Sequence, residues 1–193
     1  MKFWIALLVN ISATGAIAGP LGLDMGMSYD ILSKNIKLKQ VKPFLYSTPS
    51  LQKDHSDFDD YQLLITPKHG LCKVVAWSKA IPTSVYGEGL KDKFEKIETA
   101  ISQKYGQGKK FDLLRSGSIW NEQRDWMMGL RKNERTLAEF WTDDSSELPD
   151  NIHIIALKAH AAGTETGLIE LGYEFKNSSE CIDWIKSQEN SSL

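Results

Sequence analysis

The chain has 193 residues, of which 41% are apolar and 25% are charged. These proportions are those of an ordinary globular protein and exclude collagen-like, coiled-coil and fully disordered chains. The 25 acidic and 23 basic side chains give a net charge of -2, so no basic surface for nucleic acid is expected. Two cysteines are too few for a disulfide-rich miniature scaffold or a four-thiolate zinc site.

The first 23 residues differ from the rest, because they carry one lysine and no acidic side chain. Lys2 forms a short positive start, an apolar stretch follows, and Ala16-Ile17-Ala18 has the small-x-small form that signal peptidases cleave. We therefore predict a signal peptide at residues 1–18, with residues 19–193 exported to the periplasm or secreted. The alternative is a buried N-terminal helix. No transmembrane segment is expected, because such a helix needs about 20 mostly apolar residues.

Export would bring the two cysteines, Cys72 and Cys181, into an oxidising compartment, where thiols pair. Cys72 alternates with Val74 and Ala76 on one apolar strand face, and Cys181 shares a helix stripe with Trp184. Both sulfurs are therefore expected in the core, and we predict a disulfide between them. The alternative is a pair of unbonded buried thiols.

The first half of the mature chain is predicted to contain two helices with three strands between them. The strongest helix is Glu88–Tyr105, which has an apolar stripe and ends before Gly106, a residue typical of a C-terminal cap. The other predicted elements are a short helix at 28–34, capped by Ser28, and strands at 36–45, 61–65 and 71–79.

The second half has the same predicted order. A helix is expected at 118–131, strands at Arg135–Thr142, 152–160 and 168–175, and a final helix at 179–188. We predict an α+β fold of antiparallel sheets with helices packed on one face. The order suggests a tandem α-β-β-β-α repeat within a single domain, residues 19–193, with halves at about 19–110 and 111–193. The two halves share too little sequence to establish a duplication.

One segment at the start of the mature chain, residues 21–32, carries a family resemblance. It reads Leu21-Gly22-Leu23-Asp24-Met25-Gly26-Met27-Ser28-Tyr29-Asp30-Ile31-Leu32. It resembles the Gly-Met-Ser/Thr helix start of exported bacterial modules such as the SmpA/OmlA domain and the β-lactamase-inhibitor proteins. The resemblance implies a helix on a small antiparallel sheet, with Ile31 and Leu32 facing it, in a module that binds proteins. This chain lacks the lipid-carrying cysteine of the SmpA/OmlA proteins and their second helix before the sheet.

The densest cluster of acid–base groups is Asp54-His55-Ser56-Asp57-Phe58-Asp59-Asp60. Alternate acids supply the oxygens that Ca²⁺ prefers, but the glycine and distal glutamate of an EF-hand loop are missing. A solvated acidic loop is the favoured interpretation. The sequence has no H-E-x-x-H, G-x-S-x-G or C-x-x-C motif. We therefore assign no catalytic, cofactor-binding or metal-binding residue, and no cofactor.

Three tryptophans, Trp77, Trp120 and Trp141, lie outside or at the edge of the predicted core stripes. Exposed tryptophan is a typical anchor at binding surfaces, so these three are candidate partner-binding residues. The alternative is that a second layer covers their sheet face and makes them core.

Together these features favour an exported binding module for a protein or an envelope component. The first alternative is a periplasmic protein that binds a small ligand or a metal, and the second is a hydrolase without a recognisable motif. The sequence names no partner and specifies no oligomeric state.

Overall fold

A computed structural model describes residues 19–143 and 147–190. The predicted signal peptide, residues 1–18, lies outside the described residues. The described part has the predicted α+β fold, with helices and an antiparallel sheet. None of its helices is long and apolar enough to cross a membrane.

The helices and strands follow one another with short connections. In chain order they are α1 (Tyr29–Leu32), β1 (Lys39–Lys42), β2 (Leu45–Thr48), β3 (Phe58–Thr66), β4 (Gly70–Ser78), β5 (Ile81–Pro82), α2 (Glu88–Tyr105), β6 (Lys109–Leu114), α3 (Trp126–Arg131), β7 (Arg135–Thr142), β8 (Ile152–Ala161), β9 (Thr166–Phe175) and α4 (Ser178–Asn190). Two short 3-10 turns, Pro20–Gly22 and Gln123–Asp125, complete the described elements.

The strands pair in the order β1-β2-β3-β4-β9-β8-β7-β6, and β5 pairs with the start of β9. Each half of the chain therefore forms an antiparallel meander, and the two meanders join where β4 pairs with β9. Val75 lies opposite Gly172 in that central pair. β6 crosses the boundary expected at residues 110 and 111, and its pairing with β7 places it in the second meander.

One face of the sheet is covered by helices and forms the core. The stripe of α2 that was expected to be apolar is buried, with Leu90, Phe94, Ile97 and Ile101 between 0% and 7% exposed. Leu90 packs so closely on Gly167 of β9 that a side chain at Gly167 would overlap it. The predicted alternation of β9 is confirmed, because every second residue from 169 to 175 is buried on this face.

The opposite face of the central strands carries half-buried side chains, most of them polar or charged. Lys73 of β4 pairs with Glu174 of β9, and Lys158 of β8 pairs with Glu170 of β9. This surface is called the open face below.

The segment that carries the family resemblance runs alongside the start of β4. Gly26 donates from its backbone nitrogen to the Leu71 carbonyl oxygen at 2.9 Å, and Leu71 donates to the Met27 carbonyl oxygen at 2.8 Å. Gly26 has a φ of +79°, which favours glycine. Ser28 caps α1 as predicted, because its hydroxyl accepts from the Ile31 nitrogen. Ile31 was expected to face the sheet, and this is wrong: it is 53% exposed.

Two predicted elements are wrong in extent. The helix expected at 118–131 is reduced to the 3-10 turn and α3, because the Ser118 hydroxyl accepts from Trp120 in a local turn and Ile119 meets no core surface. The strand expected at 36–45 is broken into β1 and β2 at Phe44, which has a φ of +63°. The edge strand β6 was not predicted, because its position depends on its pairing with β7.

Candidate functional site

Cys72 of β4 and Cys181 of α4 form the predicted disulfide, with their Cα atoms 6.5 Å apart. Both residues are fully buried. Beside them, Asn177 donates from Nδ2 to the carbonyl oxygens of His69 and Leu71 at 3.0 and 3.2 Å. The disulfide and the Asn177 side chain hold the beginning of α4 against β4. Their role is therefore structural.

The three candidate tryptophans lie in different places and form no common surface. Trp141 is 2% exposed, and its indole nitrogen donates to the Gly106 carbonyl oxygen at 2.8 Å. The expectation that Trp141 is a surface anchor is therefore wrong, because it belongs to the core beside the end of α2. Trp120 is half-buried in the loop before α3, and its Cβ is near Gly129. Trp77 is half-buried on the open face, with its ring 5.2 Å from that of His160.

The charges around Trp77 are largely matched within the sheet. Glu170 accepts from His160 at 2.9 Å and from Lys158 at 3.3 Å. The hydrogen bond from His160 holds the pKa of Glu170 below its ordinary value, against the opposite effect of burial. The ring of Trp77 thus lies among paired charges on the open face.

A cleft of about 500 Å³ lies between α2, the N-terminal turn and the loop before β3. Its apolar wall is formed by Pro20, Leu21, Phe58, Ile97, Ala100 and Ile101. Tyr105 and Tyr173 also line it, with ring centroids 6.4 Å apart. Burial raises the pKa of both tyrosines, so their hydroxyls stay neutral at physiological pH. The tyrosine side of the cleft is therefore apolar and uncharged.

The charged groups of this cleft are mainly lysines. Lys53, Lys96 and Lys104 line it, and all three are exposed. Lys104 is 3.4 Å from Asp150, whereas Lys53 and Lys96 have no carboxylate partner among the described residues. Clefts of this size with apolar walls and a few polar groups are the usual form of small-molecule sites.

Part of the acidic loop at 54–60 lines this cleft. His55, Asp57 and Phe58 line the cleft. Asp57 is 2.8 Å from Lys93 of α2, and this hydrogen bond holds the pKa of Asp57 below its ordinary value. Within residues 19–143 and 147–190, no group of three or more histidine, cysteine, aspartate or glutamate side chains is placed to hold a metal ion.

A second titratable cluster lies outside the cleft, where Glu139 of β7 faces α2. Glu139 is 1% exposed, and its Oε2 has no hydrogen-bond partner among the described groups. Burial, together with the hydrogen bond and the charge of Glu98, raises the pKa of Glu139 to about 7, against the lowering effect of Lys110. A buried carboxyl of this kind carries a proton near neutral pH.

The cleft was not predicted from the sequence. Its α2 residues, Lys96, Ala100 and Lys104, are spaced four apart on one side of the helix, next to the apolar stripe. Such a spacing is also that of an ordinary solvated helix face. The wall that faces them comes from Pro20 and Leu21, which are far away in the chain.

Comparisons of this chain with protein-family models, with curated proteins and with solved structures found no match.

Proposed function

We propose that the protein is exported and acts by binding, with the α2 cleft as its site for an elongated apolar ligand that ends in an acidic group. An acyl-chain component of the cell envelope has this chemistry. The observation that carries the proposal is the combination in one cleft of an apolar wall and two lysines, Lys53 and Lys96, that have no carboxylate partner among the described residues.

Export is supported by the pattern of residues 1–18, which combines a positive start, an apolar stretch and a small-x-small end. The disulfide between Cys72 and Cys181 is compatible with an oxidising compartment. The resemblance of residues 21–32 to exported binding modules agrees with the same location.

The charge balance of the cleft favours an acidic ligand. The charge of Asp57 is balanced by its ion pair with Lys93, whereas Lys53 and Lys96 lack a carboxylate partner among the described residues. A carboxylate or phosphate at the cleft mouth would supply that partner. The apolar chain behind it would cover Ile97 and Ala100 and gain the free energy of removing apolar surface from water.

Calorimetric titration with dodecanoate and with uncharged dodecan-1-ol tests this proposal. Ala100→Trp fills the cleft, and Thr99→Trp is the matched control because Thr99 is exposed on α2 outside the cleft. We expect Ala100→Trp to weaken dodecanoate binding by about tenfold or more, and Thr99→Trp to leave it unchanged. Lys96→Gln should weaken dodecanoate by about two- to fivefold and leave the alcohol unchanged. Equal binding by the wild type and Ala100→Trp would contradict the proposal.

A second candidate function is the binding of a protein partner through the open face. Its specific support is Trp77, a half-buried aromatic ring that lies among paired charges. The resemblance of residues 21–32 to protein-binding modules favours the same function. A photo-crosslinking side chain at position 77 should capture one partner that unlabelled wild type displaces. The same side chain at exposed Lys186 of α4 is the control, and equal capture at both positions would contradict this candidate.

A further inference from the structure

Asp24 lies directly in front of the backbone nitrogen of Gly19. The Gly19 nitrogen donates to Oδ1 of Asp24, and the two atoms are 2.9 Å apart. A tight turn brings them together, because Gly22 donates to the Gly19 carbonyl oxygen at 3.1 Å and Leu23 donates to the Pro20 carbonyl oxygen at 3.0 Å. A carboxylate thus faces the first residue that the predicted cleavage would leave.

The close approach at position 19 requires glycine. A Cβ atom there would overlap the carbonyl oxygen of Leu23 and would lie 3.2 Å from Oδ1 of Asp24. The φ of Gly19 is -58°, which any residue adopts, so the restriction is steric. Gly19, the residue that follows the predicted cleavage site, is therefore the residue that this turn requires.

We propose that removal of residues 1–18 creates an ion pair between the new α-ammonium group of Gly19 and Asp24, and that this pair completes the N-terminal turn. The inference rests on the export proposed above. A signal peptidase hydrolyses the Ala18–Gly19 peptide bond. Water gives its hydroxyl to the Ala18 carbonyl carbon and a proton to the Gly19 nitrogen. The new acid then passes its proton to the amine, which leaves a carboxylate on Ala18 and an ammonium on Gly19.

Cleavage strengthens a contact that already has the right geometry. The peptide nitrogen has one hydrogen, whereas the ammonium group has three and carries a positive charge. A hydrogen bond with both partners ionised is shorter and stronger than one between an amide and a carboxylate. No described cation lies within ion-pairing distance of Asp24 in the uncut chain, so the new ammonium does not displace another partner.

The ion pair would also fix one wall of the cleft. Gly19, Pro20, Leu21 and Gly22 all line it. The turn that Asp24 closes is therefore the turn that faces α2. Cleavage of the Ala18–Gly19 bond would therefore also fix this wall of the cleft.

The test begins with the full chain expressed in a bacterium that exports it. Intact mass and N-terminal sequencing should show a protein that starts at Gly19-Pro20-Leu21. The pKa of its α-amino group is then measured from the pH dependence of its NMR signal. We expect that pKa above the ordinary value of an α-amino group, because the nearby carboxylate favours the charged form.

Asp24→Asn isolates the charge, since the amide oxygen of asparagine still accepts a hydrogen bond. It should lower the α-amino pKa and lower the melting temperature by about 2 °C at neutral pH. Asp30→Asn, a change of an exposed acid in α1, is the control and should alter neither quantity. An α-amino pKa that is equal in wild type and Asp24→Asn would overturn the ion pair and leave export standing. A chain that is not cleaved would overturn both the proposed export and the proposed ion pair. Cleavage at another bond would overturn the ion pair alone.

Discussion

Cys181 on α4 is bonded to Cys72 on β4, and 109 positions of the chain separate the two residues. The bond joins α4 to β4, a strand at the centre of the sheet whose pairing with β9 connects the two meanders. It therefore connects the C-terminal end of the chain to the first meander.

Loss of this disulfide should destabilise the fold. Closing a loop of this length lowers the entropy of the unfolded chain, and removal of such a bond typically costs about 2–5 kcal/mol. Urea unfolding with and without dithiothreitol measures the difference. The Cys72→Ala/Cys181→Ala variant should unfold at lower urea and show no response to the reductant. Two titratable thiols in unfolded, unreduced wild type would contradict the disulfide.

Stability should fall as the pH rises through the range in which Glu139 titrates. The folded-state pKa of about 7 lies above the unfolded-state value of 4.5. Between these values the native state binds more protons than the unfolded state, so the free energy of unfolding decreases with pH and levels off above pH 7. Glu139→Gln should remove up to about 3 kcal/mol of this decrease between pH 5 and pH 8.

Glu95→Gln on the exposed side of α2 is the control for that experiment and should keep the wild-type pH dependence. Urea unfolding at several pH values provides the measurement. A Glu139→Gln variant with the same slope as wild type would show that Glu139 does not hold the proton.

Two glycines of β4 and β9 should respond oppositely to substitution by alanine. Around Gly172 the atoms nearest to an added Cβ are 3.9 Å away, an ordinary contact distance. Gly172→Ala should therefore be neutral or stabilise by up to about 1 kcal/mol, since alanine reduces the freedom of the unfolded chain. Gly70 has a φ of +66°, and a Cβ there would overlap the backbone of Gly26. Gly70→Ala should destabilise by more than about 1 kcal/mol. Chemical denaturation of both variants ranks them, and the reverse order would contradict the packing of residues 24–27 on β4.

Trp141 should behave as a core residue and Trp77 as a surface residue. Trp141→Phe removes the hydrogen bond to the Gly106 carbonyl oxygen and should cost about 1–2 kcal/mol. Trp77→Phe keeps an aromatic ring on the half-buried open face and should cost less than about 0.5 kcal/mol. Thermal unfolding of the two variants compares them, and a larger loss for Trp77→Phe would reverse their assignment.

The elements predicted correctly are those whose signal is local. The helix Glu88–Tyr105 has a long apolar stripe and a glycine at its end, and the observed bounds are the same. The alternation in 168–175 likewise predicts which side of β9 is buried. By contrast, the position of β6 depends on pairing with β7, and the break at Phe44 requires a backbone conformation that phenylalanine rarely adopts. The 118–131 segment has helical spacing but no surface for Ile119 to pack on.

Only a part of the candidate site was recognised from the sequence. His55 and Asp57 were recognised as part of an acid-rich loop, but their neighbour Lys93 lies on α2 and neutralises the acid. The cleft joins the N-terminal turn to the side of α2 that flanks its buried stripe, and this depends on tertiary packing alone. The distinction between Trp77 and Trp141 has the same cause, because it is decided by which sheet face the helices cover.

The central claim is that the α2 cleft binds an apolar ligand with an acidic end. The most direct measurement is the change of methyl and indole NMR signals of the protein on titration with dodecanoate. We predict that the methyl signals of Ile97, Ala100 and Ile101 shift with a common binding curve, while the indole signal of Trp77 stays in place. No shift at the three methyl groups, or a shift confined to Trp77, would contradict the account.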